Sequence, residues 1–492
     1  MSTLSELLPS GGGSDVADFV ASGTLPNGKA VVLKSDGTVE VVGETTIPES
    51  IPSGSETVFN AADTSNSSAI SFDPNTVNSF IMAYQDGGNS NYGTVVVGTV
   101  SGTSLTFGTE SVFNSAATYA VTVAFDPNTA GKFIVAYADG GNGTYATVKA
   151  GTISGSSITY GSAAVFSSVY VYDYSISFDP NTANSFVISH ADGYGKVVVG
   201  TLSGVVITLG SVYTYNATST NNPEVSFDPS TANKFVIAYS DTNGRAIVGT
   251  VSGTSISFGT AVAFNPAATS RSSLSFDPHT ANKFAVVYMD EAGLDYGTAI
   301  VGTVSGTSIS YGSEYVFNSG NTQEMSIAFD PSTINKLVIS YRDVGNSGYG
   351  TAIVGTVSGT SLSFGTESIF NSANTYHVAV AFDPDTAGKF VVAYYDVGNS
   401  NYGTAIIGQL TADVTNLTAT NFVGITTKAI ADTATGSVTL RAGVSTNQTG
   451  LTIGSTYYVQ ADGTVSTVST APAVNIGKAL NATTLKLKGL AL

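Results

Sequence analysis

Three observations predict an all-β chain built mainly as a seven-bladed β-propeller of four-stranded blades. The tripeptide Phe-Asp-Pro occurs seven times, the copies recur every 49 to 53 residues, and each repeat carries four short apolar runs. The copies begin at Phe72, Phe125, Phe178, Phe227, Phe276, Phe329 and Phe382, at successive intervals of 53, 53, 49, 49, 53 and 53 residues. Gly, Ser, Thr, Asn, Val and Tyr dominate and helix formers are scarce, which suits short strands and tight turns.

The first repeat shows the elements in order. Residues 66–72 form a strand that leads into Phe72-Asp73-Pro74-Asn75-Thr76, a turn with Pro at its second position and Asx side chains to bond the backbone. Phe80 to Tyr84 is the second strand, ending at Asp86. Gly87 to Gly93 is a loop, Thr94 to Val100 the third strand, and Ser101-Gly102-Thr103 turns the chain into a fourth, Leu105 to Phe113. The second and third strands are apolar on both faces, as blades sandwiched between blades require.

Repeat length varies in one place. From the Gly of the third strand (Gly98 in the first repeat) to the next Asp-Pro is 28 residues each time, so the variation lies in the loop between strands two and three. Repeats three and four are four residues shorter there, at Asp192 to Gly195 and Asp241 to Gly244. Antiparallel order puts this loop on the same face as the variable links between blades. The opposite face carries the recurrent Phe-Asp-Pro and Ser-Gly-Thr turns. One face is therefore uniform and one diversified, and the diversified face is free to recognise something.

The last repeat has only three strands. Gly54-Ser55-Glu56-Thr57-Val58-Phe59-Asn60 matches Gly108-Thr109-Glu110-Ser111-Val112-Phe113-Asn114, the end of a fourth strand. The N-terminal segment is therefore expected to complete the last blade and close the ring. The domain reading is 1–53 and 411–492 as the two parts of a small β base domain, with the propeller at 54–410 between them. Base strands are expected at Phe19 to Leu25, Lys29 to Leu33, Thr38 to Val42, Ser437 to Arg441, Thr456 to Gln460, Thr464 to Val468 and Thr483 to Lys488.

A formal charge of −18 with 17 basic residues argues against nucleic acid and against an anionic membrane surface as partners. No apolar run suffices for membrane insertion. No cysteine is present, so disulfides and thiolate metal sites are excluded. The N-terminus has no secretory pattern, which predicts assembly in a cytosol.

Candidate sites follow from the repeat. The Phe-Asp-Pro aspartates (Asp73, Asp126, Asp179, Asp228, Asp277, Asp330, Asp383) read as structural Asx turns. The aspartates closing strand two (Asp86, Asp139, Asp192, Asp241, Asp290, Asp343, Asp396) read as caps, with calcium the alternative; otherwise no cofactor is expected. His190, His279 and His377 have no metal spacing. Asp173, Glu224, Glu291, Asp295 and Glu324 are the acids of the variable segments, and none forms an evident acid–base pair, so an enzyme is not expected. Tyrosine combines a rigid apolar face with a polar tip, and repeat three has its own set. A ligand-binding notch is expected there, lined by Tyr170, Tyr172, Tyr174 and Tyr194 with Asn221, Asn222 and Asn243 nearby.

The segment Thr449-Gly450-Leu451-Thr452-Ile453-Gly454-Ser455-Thr456-Tyr457-Tyr458-Val459-Gln460-Ala461-Asp462-Gly463-Thr464 resembles a terminal module of tail-fibre and other virion proteins of tailed, especially marine, bacteriophages. Val20 to Leu25 with Val31 to Val39 resembles the matching N-terminal piece, and Asp396 to Gly408 is similar to repeats in the same group. The resemblance spans nearly the whole chain and brings no catalytic residues. It implies a virion surface appendage (tail fibre, head fibre or decoration protein) anchored to virion structural proteins of tail or capsid and present as a homo-oligomer or in many copies. On this reading the propeller displays a surface for a host glycan or protein receptor. A purely structural decoration protein is the alternative, and a glycan hydrolase a weaker third.

Overall fold

Each Phe-Asp-Pro tripeptide sits at the tight turn between two antiparallel strands. In the first repeat these are Ser68–Phe72 and Ser79–Asp86, with Phe72 opposite Phe80. Asp73 fixes the turn, its Oδ1 accepting from the Asn75 N–H at 2.9 Å. Tyr92–Ser101 pairs back along the second strand, and Ser104–Phe107 pairs back along the third. The fourth strand is interrupted at Gly108, whose N–H donates to the Val97 carbonyl at 2.9 Å, and it resumes at Ser111. That piece, Ser111–Phe125, runs on unbroken to become the first strand of the next repeat. The structure is a computed structural model that describes residues 15–64, 67–155, 157–171, 173–418, 420–469 and 473–489.

The first strands of successive repeats lie side by side, and the last of them, at the end of Ser368–Phe382, lies beside Ser68–Phe72 of the first repeat. The facing edges of these strands are bridged by serine hydroxyls. Ser175 and Ser177 accept from the N–H groups of Val225 and Phe227 at 3.2 and 3.1 Å, and Ser326 accepts from Val380 at 3.1 Å. A short hydroxyl thus satisfies backbone donors that splayed strands leave without a carbonyl partner. The alternating serines of Tyr174-Ser175-Ile176-Ser177-Phe178 serve this purpose.

Thr57–Asp63 supplies the outer strand of the last repeat, with Thr57 opposite Ala405 and Val58 opposite Thr404. The Tyr394 hydroxyl donates to Glu56 at 2.8 Å, as Tyr84 does to Glu110 and Tyr288 to Glu314. The apolar filling is shared between repeats. Phe80, Met82, Tyr84 and Val96 of the first pack with Val391, Ala393, Ala405 and Ile407 of the last. The third-strand glycine makes room for this filling: a Cβ on Gly98 would stand 2.2 Å from the Phe80 ring.

Five repeats carry a one-turn 3-10 helix between strands two and three, as at Gly87–Asn89. Repeats three and four turn directly instead, through Asp192 N–H to the Tyr194 carbonyl and Asp241 N–H to the Asn243 carbonyl. The four missing residues are that helical turn.

The chain divides into two compact units, one of Pro48–Thr411 and one of the residues up to Ile47 together with those from Ala412 onward. The first begins at Pro48 rather than at residue 54 because Ser50 and Gln409 exchange two backbone hydrogen bonds of 2.8 Å. The second holds a five-stranded sheet ordered Val16–Val20, Thr435–Leu440, Phe422–Thr426, Ala30–Leu33, Val39–Val41. A second five-stranded sheet runs Val444–Ser445, Leu485–Leu487, Val474–Ala479, Thr456–Val459, Val465–Ser466. The strand expected at Phe19 to Leu25 ends at Val20 instead, because Gly23 adopts a left-handed φ of 81° and turns the chain. Among the described residues no helix is long and apolar enough to cross a membrane.

Candidate functional site

Six residues before each Phe-Asp-Pro aspartate, at the upstream end of the first strand's main pairing, the seven positions hold Ser67, Ala120, Asp173, Asn222, Arg271, Glu324 and His377. No residue type occurs twice. Ala120, Asn222, Arg271, Glu324 and His377 all have left-handed backbone, with φ between 48° and 53°. The pairing register slips at each of these five, so every one is a bulge that opens the strand. The bulge frees an N–H that the preceding repeat's side chain collects. Asn222 N–H donates to Asp173 Oδ2 at 3.2 Å, Arg271 N–H to Asn222 Oδ1 at 3.1 Å, and His377 N–H to Glu324 Oε2 at 3.3 Å. The Arg271 guanidinium also pairs with Glu324 Oε1 at 2.9 Å. A backbone device repeated around the unit thus presents chemically different side chains.

The starts of the first strands enclose a polar cavity of 300 Å³ whose lining includes Ser67, Asp173, Tyr174, Asn222, Glu224 and His377. Glu224 is the unusual member. Its counterparts in the other repeats are Ala69, Thr122, Ser175, Ser273, Ser326 and Ala379, all small. Burial pushes the Glu224 carboxyl up to about 7; the hydrogen bond with Ser175 works against this rise and the charge of Asp173 adds to it. Part of the side chain remains open to the cavity, yet protein crowds it on the longer scale that sets the local dielectric, and the raised value follows from that crowding. A second cavity of 490 Å³ lies alongside, lined by Asp173, Asn221, Asn222, Asp241, Thr269 and Glu291 among others.

Of the residues expected to form the notch, Tyr174, Asn221 and Asn222 line these cavities. Tyr174 contributes only an edge. It is only 8% exposed, because its ring packs on Phe166 and its hydroxyl donates to the Tyr119 carbonyl at 3.2 Å, leaving one edge on the smaller cavity. Tyr170 is 36% exposed at the end of Ala164–Tyr170, opposite Tyr145 of the second repeat, and Tyr194 is 53% exposed in its hairpin. Neither is among the residues lining the two cavities, nor is Asn243, whose N–H donates to Asp241 within its own turn at 2.9 Å. Tyr172 lies outside the described residues. Sequence reading named Asp173, Glu224 and Glu324 without joining them to Arg271 and His377. Counting back a fixed six residues from each Phe-Asp-Pro aspartate is the signal that unites the ring.

The two recurrent aspartate sets hold the scaffold. Asp86, Asp139 and Asp396 accept N–H groups of their own one-turn helices and also the Asn60, Asn114 and Asn371 amides from the preceding outer strand. Asp73 and Asp179 cap their turns through Oδ1, while Oδ2 accepts the Gly131 and Asn233 N–H of the next repeat, each at 2.7 Å. Donors of this kind suit a cap or a clasp between repeats. Among the described residues no group of three or more His, Asp or Glu side chains is placed to hold a metal ion.

No protein-family model matches the chain, and no curated protein matches it. Solved structures do match its architecture. The β-propeller domain of Cps50 (Swd1) from Myceliophteria thermophila aligns at 11% identity over 73% of this chain and 100% of its own, with a TM-score of 0.48. A chain in the crystal structure of a mitotic checkpoint complex aligns at 10% identity over 74% of this chain and 97% of its own, with a TM-score of 0.51. At that identity the likeness concerns architecture alone. The strand pairing and the second of these likenesses agree on one statement: the chain is an all-β protein with the fold of a β-propeller.

Proposed function

We propose that this chain is a surface protein of a tailed-bacteriophage virion, in which a seven-bladed propeller recognises a glycan of the host surface. On this reading the unit built from both chain ends is the base that attaches to tail or capsid proteins, and the protein is present as a homo-oligomer or in many copies. Seven cyclically adjacent first strands, with Thr57–Asp63 as the outer strand of the last repeat, support the blade count. The observation that carries the recognition reading is the set of seven unlike residues at one equivalent position of the repeat. A spacer needs no such diversity, whereas recognition does. Immunogold labelling of purified particles tests the assignment. Labelled particles are the expected result; labelling confined to the lysate would overturn it.

A second reading, glycan hydrolysis, draws on Glu224, a carboxyl able to hold a proton near neutral pH in the same cavity as Asp173. A reducing-end assay on host polysaccharide separates the two.

A further inference from the structure

We infer that the 300 Å³ cavity enclosed by the first strands is a binding site for one neutral, hexose-sized sugar, oriented by Glu224, Asp173 and Asn222. The inference rests on the glycan-recognition reading for its ligand class and adds the place and the size of the bound unit.

Size limits the ligand first. The cavity stands at the lower end of the ~300–1,000 Å³ span of small-molecule sites, so a single ring fits and a longer oligosaccharide must leave its remainder outside. Charge limits it next. Two acidic side chains, Asp173 and the partly protonated Glu224, face the cavity, while the lining contains one basic side chain, His377, which stands 3.9 Å from Glu324. Arg271, on the same ring, is already paired with Glu324. An anionic ligand would meet repulsion without a compensating cation.

The remaining chemistry favours hydroxyl groups. Carboxylate, amide and serine oxygens accept hydrogen bonds from a polyol, and the Asn222 amide and the Ser67 hydroxyl can donate to it, while the Ser68 and Ser272 protons go to the His377 and Asn222 carbonyls. Asp173 and Asn222 are each held in place by a side-chain bond to the backbone of the next repeat, so their ordering cost is met before a ligand arrives. Tyr174 and Pro223 give the wall an apolar edge for the C–H face of a sugar ring. Symmetry supplies the last argument. Seven equivalent blades with identical residues would offer seven equivalent poses. Seven unlike residues offer a single pose, as an asymmetric ligand with several distinct hydroxyls demands.

The test is saturation-transfer NMR on the full chain with glucose, galactose, mannose and N-acetylglucosamine in turn. Transfer to at least one sugar is expected, weakened about tenfold or more in affinity by Glu224→Ala and unchanged by Val206→Ala, an exposed residue that lines neither cavity. Two other repeats carry alanine at the Glu224 position, Ala69 and Ala379, so the variant keeps a side chain that this backbone already accepts. A matching melting curve confirms its folding. Transfer to none of the four, or transfer that survives Glu224→Ala undiminished, would overturn the inference. Failures of the site and of the receptor reading are separable. Hexose binding by a protein that does not block phage adsorption leaves the site standing, and blocking without hexose binding leaves the receptor reading standing.

Discussion

His190 shows how a single exception in a repeat becomes a physical liability. Six repeats place tyrosine at this point of the second strand, and Tyr84, Tyr288, Tyr341 and Tyr394 each reach a glutamate of the adjacent outer strand. His190 packs its ring 5.4 Å from Phe166 instead, and burial lowers its pKa to about 4 from 6.5. The unfolded chain therefore binds more protons between these values. The stability that follows from keeping His190 neutral is full above 6.5 and falls as pH drops toward 4, by up to about 3 kcal/mol. His190→Tyr is expected to remove this component: the melting temperature of the variant minus that of the wild type should be larger at pH 4.5 than at pH 8. A difference that does not change with pH would contradict the assignment. The third-strand glycine is the complementary case, a demand shared by all seven repeats. Gly98→Ala should cost about 1–3 kcal/mol in urea unfolding, because the added carbon meets a fully buried ring that has nowhere to turn. An unchanged midpoint would show that Phe80 can move. Residue-scale legibility was uneven for a physical reason. The tyrosines of repeat three stood out as aromatic, but only packing could show that Tyr174 is spent on the interior, whereas Glu224 stood out only against the small residues that replace it elsewhere.

At the scale of elements, the strand that matters most is Thr57–Asp63. Without it, Tyr402–Gln409 would be an unpaired edge, and the cluster joining first and last repeats would lose Phe59. Deleting residues 54–60 should lower the melting temperature sharply. Glu56→Ala, which removes only the acceptor of Tyr394, should cost about 1–3 kcal/mol. Thermal scans of the two variants check this order, and equal melting temperatures for deletion and wild type would refute closure by this strand. The pairing was readable because the segment from Gly54 to Asn60 repeats the words of a fourth strand. In the unit formed by the chain ends no repeat helps. Phe422–Thr426 and Val474–Ala479 are short runs without a repeat to mark them: the first is buried beside Ala30–Leu33, distant in sequence, and the second against a core shared with Ala30 and Val32.

For the molecule as a whole, the sequence period carried the fold, since the same words at a spacing of 49 to 53 residues force similar units whose exposed edges are relieved by neighbours. It could not carry the site in the same way. A binding surface is written in departures from the repeat, and these acquire meaning only when the ring brings distant positions together. Asp173 and His377 are separated by four repeats in the chain and line one cavity. The central claim is that this diversified ring faces a host ligand. The measurement that tests it most directly is adsorption competition, with purified protein added to host cells before the phage that carries it. Blocking by the wild type, lost when Asp173, Asn222 and Glu224 are together replaced by alanine, is the predicted result. Failure of the folded wild-type protein to block, or blocking retained in full by the triple variant, would contradict the account.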